Sequence, residues 1–171
     1  KKIILTGAQK IDDFYKGFDK YLKSLKYLDS KKYFLLFFGN IDSKILNTLN
    51  FEYRSLGFLN DSISLRLAYS AADAFVAPSL MESFGKTLVE SMMCNTPVVC
   101  FDATGPKDII EHKLTGYKAI PFEPEDLADG VEWIINDNDK LNDNIRSIAI
   151  KKFDNKIIAK KYKDLYIKLM K

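Results

Sequence analysis

Short apolar runs alternate with longer stretches of helical period along this chain. Residues 3–5 are apolar and close at Thr6-Gly7, which predicts a buried strand. Over residues 14–28, Phe14, Phe18, Tyr21, Leu22, Leu25 and Leu28 recur at near-helical spacing, which predicts an amphipathic helix. Residues 33–38 predict a second strand, stopped at Gly39-Asn40, and residues 43–49 a weak short helix. A third strand is expected over 52–59. A helix follows over 61–71, with Asp61 or Ser62 as its cap and Ile63, Leu67 and Ala71 on one face. A fourth strand spans 74–78 and ends at Pro78. A helix over 84–94, a strand over 97–101, a short helix over 106–111 and a short strand over 116–120 come next. Residues 123–137 open with acids and Pro124, as helix N-termini do, and carry Leu127, Val131 and Ile134 on the apolar face. Two more helices are expected near 139–152 and 154–170.

Strands that alternate with amphipathic helices imply βαβ units and a parallel sheet. These strands lack polar alternation, as expected when helices cover both faces. The pattern shows no internal repeat, low-complexity stretch or linker. The fold class expected is α/β: one Rossmann-like, doubly wound parallel sheet flanked by helices, over residues 1–171. Such sheets bind ligands beyond the carboxyl ends of their strands. Function is therefore expected at Gly7 to Gly17, Gly39-Asn40, Gly57 to Asn60, Pro78 to Lys86 and Asp102 to Pro106.

Composition narrows the classes. The 171 residues are 47% hydrophobic and 29% charged, which argues against a disordered or collagen-like chain. The longest apolar runs, such as 34–38, fall far short of the roughly 20 residues that a membrane-spanning helix needs. No secretory signal opens the sequence, and it begins with Lys rather than Met, so it reads as a fragment or a processed product. Net charge is +3, yet residues 151–171 hold eight lysines against Asp154 and Asp164. The basic charge is a tail rather than a nucleic-acid stripe, and no nucleic-acid partner is expected. Cys94, Cys100 and the lone His112 make no metal pattern, so no metal is expected. The cysteines read as apolar fillers in a reducing, cytoplasmic compartment. A Ser-His-Asp hydrolase would rest on His112 alone.

The chemistry concentrates in PSLMESFGKTLVESMMCNTPVV, residues 78–99. A strand ends at Pro78, a polar loop carries Glu82, and a helix begins near Phe84. Gly85 removes a side chain where a ligand could approach the backbone. The first amides of a helix lack partners and its dipole favours an anion, so a phosphate suits this point. Glu90 lies among Leu88, Val89, Met92 and Met93, where a carboxylate needs a partner or a wet cleft. A local Lys86–Glu90 pair is the plain alternative, in the weaker of the two orders. Glu82 has a plain reading too, as a solvated loop acid. In the first-strand loop, GAQKIDDFYKG lacks both the dinucleotide fingerprint and the P-loop. Lys16 beside Gly17 is either a solvated lysine or a phosphate clamp.

Residues 78–99 resemble retaining glycosyltransferases of family 4, which have the two-domain GT-B fold. The signature is Pro-Ser-x-x-Glu-x-Phe-Gly, a second Glu eight positions after the first, and a helix end before Pro-Val-Val. GAQKIDDFYKGFD, FFGN, RSLGFLND, SAADAFVAPS and the stretch from DIIEHKLTGY to WIIND resemble other parts of that family in order and spacing. The resemblance covers nearly the whole chain and implies the C-terminal, donor-binding half of a GT-B architecture.

It implies a nucleoside diphosphate sugar as donor and an acceptor hydroxyl, on a glycan or a lipid-linked acceptor, bound by a missing N-terminal domain. Surface polysaccharide or glycolipid synthesis is the setting it suggests. Lys16 would contact the diphosphate, and Glu82, the catalytic assignment, the sugar hydroxyls. Backbone amides of Phe84, Gly85, Lys86, Thr87 and Leu88 would line sugar and diphosphate, and Glu90 would hold the ribose hydroxyls. No cofactor is implied, and the 171 residues alone are expected to be inactive. Ala8 stands where many members carry an Arg, Asn95 replaces the usual Gly, and Met92 and Met93 replace smaller residues. The apolar stripe of helix 154–170 is expected to pack on its own or the missing domain. Its lysines also suit an anionic lipid surface, a peripheral membrane association. Two other readings remain: a nucleotide-sugar epimerase of the same fold, and a non-catalytic flavodoxin-like module. The second would carry acids at the end of the first strand, where Gly7-Ala8-Gln9 stands.

Overall fold

Each predicted apolar run forms a strand, and neighbouring strands run parallel. The computed structural model describes residues 1–11, 13–136, 141 and 144–170. Its strands are β1 (Lys2–Lys10), β2 (Tyr33–Asn40), β3 (Glu52–Ser55), β4 (Ala74–Ala77), β5 (Val98–Phe101) and β6 (Gly116–Ala119). Their order is β3-β2-β1-β4-β5-β6. All pairings among them are parallel. The order reverses between β1 and β4, which opens a crevice at their carboxyl ends. This is the Rossmann-like α/β sheet expected from the sequence.

The helices are α1 (Phe18–Ser24), α2 (Ser43–Leu46), α3 (Ser62–Ser70), α4 (Lys86–Met93), α5 (Pro106–Ile109), α6 (Pro124–Asn136), α7 (Ile145–Phe153) and α8 (Asn155–Leu169). They cover both faces. On one, Ile4, Phe37 and Val99 meet Phe18 and Tyr21 of α1 and Leu127 and Val131 of α6. On the other, Leu5, Phe75 and Val98 meet Tyr69 of α3, Leu88 and Met92 of α4, and Ala149 of α7. Ile4 and Leu5 serve opposite faces, as the pleat requires, and both are fully buried. That double burial is why β1, β2, β4 and β5 carry apolar runs, whereas the edge strand β3 is polar and mostly exposed, against the expectation.

Several boundaries differ from those predicted. β1 continues past residue 5 to Lys10, because Thr6 and Gly7 pair with Phe37 and Phe38 before the register shifts ahead of Lys10. The predicted helix over 14–28 is broken at Gly17, which is left-handed (φ 63°). Phe14–Lys16 form a single 3-10 turn whose cap, Asp13, accepts from the Tyr15 amide, and Leu25–Tyr27 form another after α1. Phe14 consequently lies off the core, 75% exposed. β3 stops at Ser55. Leu56 still donates to the Phe37 carbonyl, but Gly57 turns the chain with a left-handed φ of 67°.

In α3 the cap is Asp61, which accepts from the Ile63 and Ser64 amides. Its buried residues are Ala68 and Tyr69, while the Ile63 and Leu67 face stays exposed. The helix expected over 123–137 is α6, with residue 137 outside the described residues. The one expected near 139–152 begins at Ile145, and residues 139, 140, 142 and 143 also lie outside the described residues. Among the described residues no helix is long and apolar enough to cross a membrane.

Both cysteines are free. Cys100 is fully buried, and that burial pushes its thiol up to about 12, an inert filler. Tyr21 is a more costly occupant of the core. It is 1% exposed, stacks on Phe18, and its hydroxyl has no hydrogen-bond partner among the described residues. Burial accordingly holds the phenol above its usual range. Tyr21→Phe keeps the ring and removes the unpaired group, so urea denaturation should show a gain of about 1 kcal/mol. A loss of stability would mean that the hydroxyl has a partner after all.

Candidate functional site

Two loops meet across the crevice, one after β1 and one after β4. The Leu80 amide donates to the Tyr15 carbonyl at 2.9 Å. Gly17 packs so closely on the second loop that a Cβ there would lie 2.0 Å from the Pro78 carbonyl oxygen. This contact explains why the chain breaks its helix at Gly17. It also fixes Lys16 beside the second loop, where its Nζ lies 2.6 Å from Glu82 Oε2. The two side chains are 34% and 22% exposed, so the pair borders solvent without being freely hydrated.

A third loop, after β5, holds Glu82 from below. The Gly105 amide donates to the Glu82 carbonyl at 2.9 Å, and the Glu82 amide donates to Thr104 Oγ1 at 3.2 Å. Gly105 sits against three successive carbonyls, those of Glu82, Ser83 and Phe84, each within 2.8 Å of where a Cβ would be. The backbone on both sides of the carboxylate is therefore anchored.

α4 starts from Gly85, which is left-handed (φ 101°) and places no side-chain cap on the first turn. An uncapped helix start presents amide hydrogens and the positive end of the dipole. A small cavity at the crevice is lined by Gly7, Ala8, Lys16, Pro78, Ser79 and Thr87, among others. It joins Lys16 to the opening turn of α4. A lysine beside an uncapped helix start is an arrangement that receives an anion. Carboxylates at its margin can accept hydroxyl hydrogen bonds.

The residues singled out from the sequence do not share one place. Lys16 and Thr87 line the crevice cavity, Glu82 meets Lys16 at its margin, Gly85 starts α4, and Lys86 borders a separate groove with Phe84, Glu90 and Phe153. Phe84 is half exposed and packs edge-on against Phe153 at 5.8 Å. Leu88 is buried, and its amide donates to the Gly85 carbonyl inside the helix. Glu90 lies one turn further along α4. Its partner is the Tyr69 hydroxyl, which donates to Oε2 at 3.1 Å. The Lys86–Glu90 pair that the spacing offers does not occur among the described residues.

His112 is occupied elsewhere, its Nδ1 accepting from the Lys118 amide at 3.0 Å. Burial, with Lys113 and Lys118 nearby, holds its pKa below the usual value.

One contributor, Tyr69, escaped the sequence reading, while Thr104 and Gly105 lie within the expected 102–106 loop without having been singled out. Gly105 had a local signal, a glycine between a strand end and a proline at a helix start. Tyr69 had none, since helical period shows a face and not what a phenol at its end will reach.

The family model described as glycosyl transferases group 1 matches residues 10–152, and this chain belongs to that family. An uncharacterized glycosyltransferase of Methanocaldococcus jannaschii is 32% identical over 114 residues, 65% of this chain and 29% of that protein. The N,N'-diacetylbacillosaminyl-diphospho-undecaprenol alpha-1,3-N-acetylgalactosaminyltransferase of Campylobacter jejuni is 27% identical over 178 positions. That match covers 100% of this chain and 46% of the relative.

Solved structures share the fold. Sucrose-phosphate synthase from Thermosynechococcus elongatus superposes with a TM-score of 0.84 at 24% identity, over 99% of this chain and 46% of that one. Anabaena Alr3699/HepE, solved with UDP-glucose, gives 0.78 at 24% identity, over 96% and 49%. The architecture is thus the Rossmann-like domain of GT-B glycosyltransferases. The chain spans less than half the length of each of these proteins.

Proposed function

We propose that this chain is the donor-binding domain of a retaining hexosyltransferase, acting on a nucleoside diphosphate sugar. One observation carries the reading: Lys16, Glu82 and the uncapped start of α4 converge at the switch point of the sheet. In transfer, the bond between the anomeric carbon and the diphosphate oxygen breaks, the anomeric carbon bonds to the acceptor's hydroxyl oxygen, and that hydroxyl's proton passes to the departing diphosphate oxygen. Lys16 and the amides of Phe84 to Thr87, before and at the start of α4, face the charge that develops on the leaving diphosphate. Glu82 accepts hydrogen bonds from the sugar, and Glu90 from the ribose. The HepE structure with UDP-glucose favours a nucleotide-sugar donor, and the Campylobacter transferase, named for transfer to a diphospho-undecaprenol carrier, favours a lipid-linked acceptor.

The acceptor belongs to a second domain of the whole enzyme, in polysaccharide or glycolipid synthesis on the cytoplasmic side. The 171 residues by themselves bind donor without turning it over, because positioning and water exclusion need both halves. None of the residues of α8 is buried, and Tyr162, Leu165, Tyr166 and Leu169 form an exposed stripe. That stripe is available to the second domain, and the helix lysines to an anionic membrane.

The test is calorimetric titration with UDP, GDP and ADP and with their glucose conjugates. Glu90→Gln should weaken bare and sugar-bearing nucleotides alike by about 1–3 kcal/mol. Glu82→Gln should weaken the sugar nucleotide relative to the bare one. No binding at millimolar ligand by folded protein would overturn the donor reading. Unchanged affinities in Glu90→Gln would remove the ribose assignment.

A further inference from the structure

Glu90 stands on α4 with a side chain of several rotamers, and a carboxylate receives two adjacent hydroxyls only in a narrow range of orientations. What meets it from the protein side is Tyr69, at the end of α3. The phenol ring is 1% exposed and fixed on two sides, edge-on to Phe75 at 5.2 Å and to Phe38 at 5.6 Å. Its backbone is fixed as well, since the buried Thr96 hydroxyl donates to the Tyr69 carbonyl at 2.7 Å. A ring packed on β2 and β4, with its backbone tied to the segment after α4, has little freedom. Its hydroxyl lies 3.1 Å from Glu90 Oε2. Burial and the neighbouring carboxylate keep the phenol protonated, so it is always a donor.

A groove opens over the same carboxylate, lined by Leu65, Arg66, Val89, Met93 and Arg146. Glu90 therefore has a fixed donor on its buried side and open space on the other.

We infer that Tyr69 is a positioning residue: its buried hydroxyl holds the Glu90 carboxylate in the orientation that accepts the vicinal ribose hydroxyls of the donor. The inference rests on the ribose role proposed above for Glu90. A bond that merely ties α3 to α4 would affect stability and not discriminate between ligands.

The experiment compares UDP with 2′,3′-dideoxy-UDP on the parent, Tyr69→Phe, Glu90→Gln and the double variant. The parent should prefer UDP, and Tyr69→Phe should lose about fivefold in UDP affinity with no loss for the dideoxy nucleotide. In the Glu90→Gln background the same change should be nearly silent. If the parent does not discriminate between the two nucleotides, the ribose role itself fails. If the parent and Glu90→Gln behave as proposed while Tyr69→Phe matches the parent, the positioning role alone is overturned. Equal losses on both nucleotides would also overturn it, in favour of a structural bond. A second measurement avoids dependence on the variant's folding. The buried Tyr69 hydroxyl proton of the parent, followed by NMR, should shift with UDP and not with dideoxy-UDP. A signal indifferent to both would sink the inference.

Discussion

Lys16→Met will weaken nucleoside diphosphate binding by about tenfold to a hundredfold. Hydrogen bonds to a charged group contribute about 1.5–3 kcal/mol each, and each 1.4 kcal/mol is a factor of ten. Met keeps the length of the stem and removes only the charge. Ala8, which lines the same cavity, stands where many members of the family this chain resembles carry a second cation, and it offers no charge. Stability should change far less. The Lys16–Glu82 pair borders solvent, and pairs of that kind contribute about 0–1 kcal/mol. Calorimetry on UDP gives the first quantity and a urea midpoint the second. A dissociation constant equal to that of the parent would take the phosphate role away from Lys16.

Gly17→Ala should do more damage to the fold. The residue is left-handed, which costs a non-glycine residue about 1–2 kcal/mol. The new Cβ would also lie 2.0 Å from the Pro78 carbonyl oxygen, and a backbone atom cannot rotate out of the way. The two loops must part. We expect a loss of about 3 kcal/mol or more, read from urea denaturation. Nucleotide affinity should fall with it, since Lys16 is carried on the displaced loop. A variant as stable as the parent would show that the loops are not held by this contact.

Much of the fold was legible because its central strands are buried on both faces. Runs such as Tyr33–Phe38 and Val98–Phe101 are of strand length and bounded by turn residues, which suits a strand covered on both faces. Boundaries were less legible where pairing overrides polarity. Thr6 to Lys10 read as a loop, yet the partner strand continues beside them as far as Asn40. The helix over 14–28 kept its period by count, while its actual break was dictated by Pro78, which local sequence cannot see.

The site divides in the same way. Lys16, Glu82 and Gly85 were marked by strand–loop–helix context. That Lys16 and Glu82 touch was not, because 66 residues separate them. For Glu90 the local rule offered Lys86, an interaction of about 0.2–0.5 kcal/mol. The structure gives it instead a phenol 21 positions away, fixed by the core. A short-range rule loses when the competing partner is already immobilised.

The place of β1 in the sheet has a consequence for how the molecule assembles. The first strand of this domain is a central one, flanked by β2 and β4, with Ile4 paired to Ala74. As the chain emerges, β1, β2 and β3 can pair in sequence, but the other edge of β1 stays open until the fourth strand arrives. That edge belongs to a strand whose Ile4 and Leu5 are fully buried in the finished protein. An uncovered apolar edge invites wrong pairing, and closing so long a parallel crossover is slow. The loop bearing Lys16 and the loop bearing Glu82 descend from the two strands that this step joins. Nascent chains are thus most exposed to misassembly just before the crevice exists, and its formation marks the end of that interval.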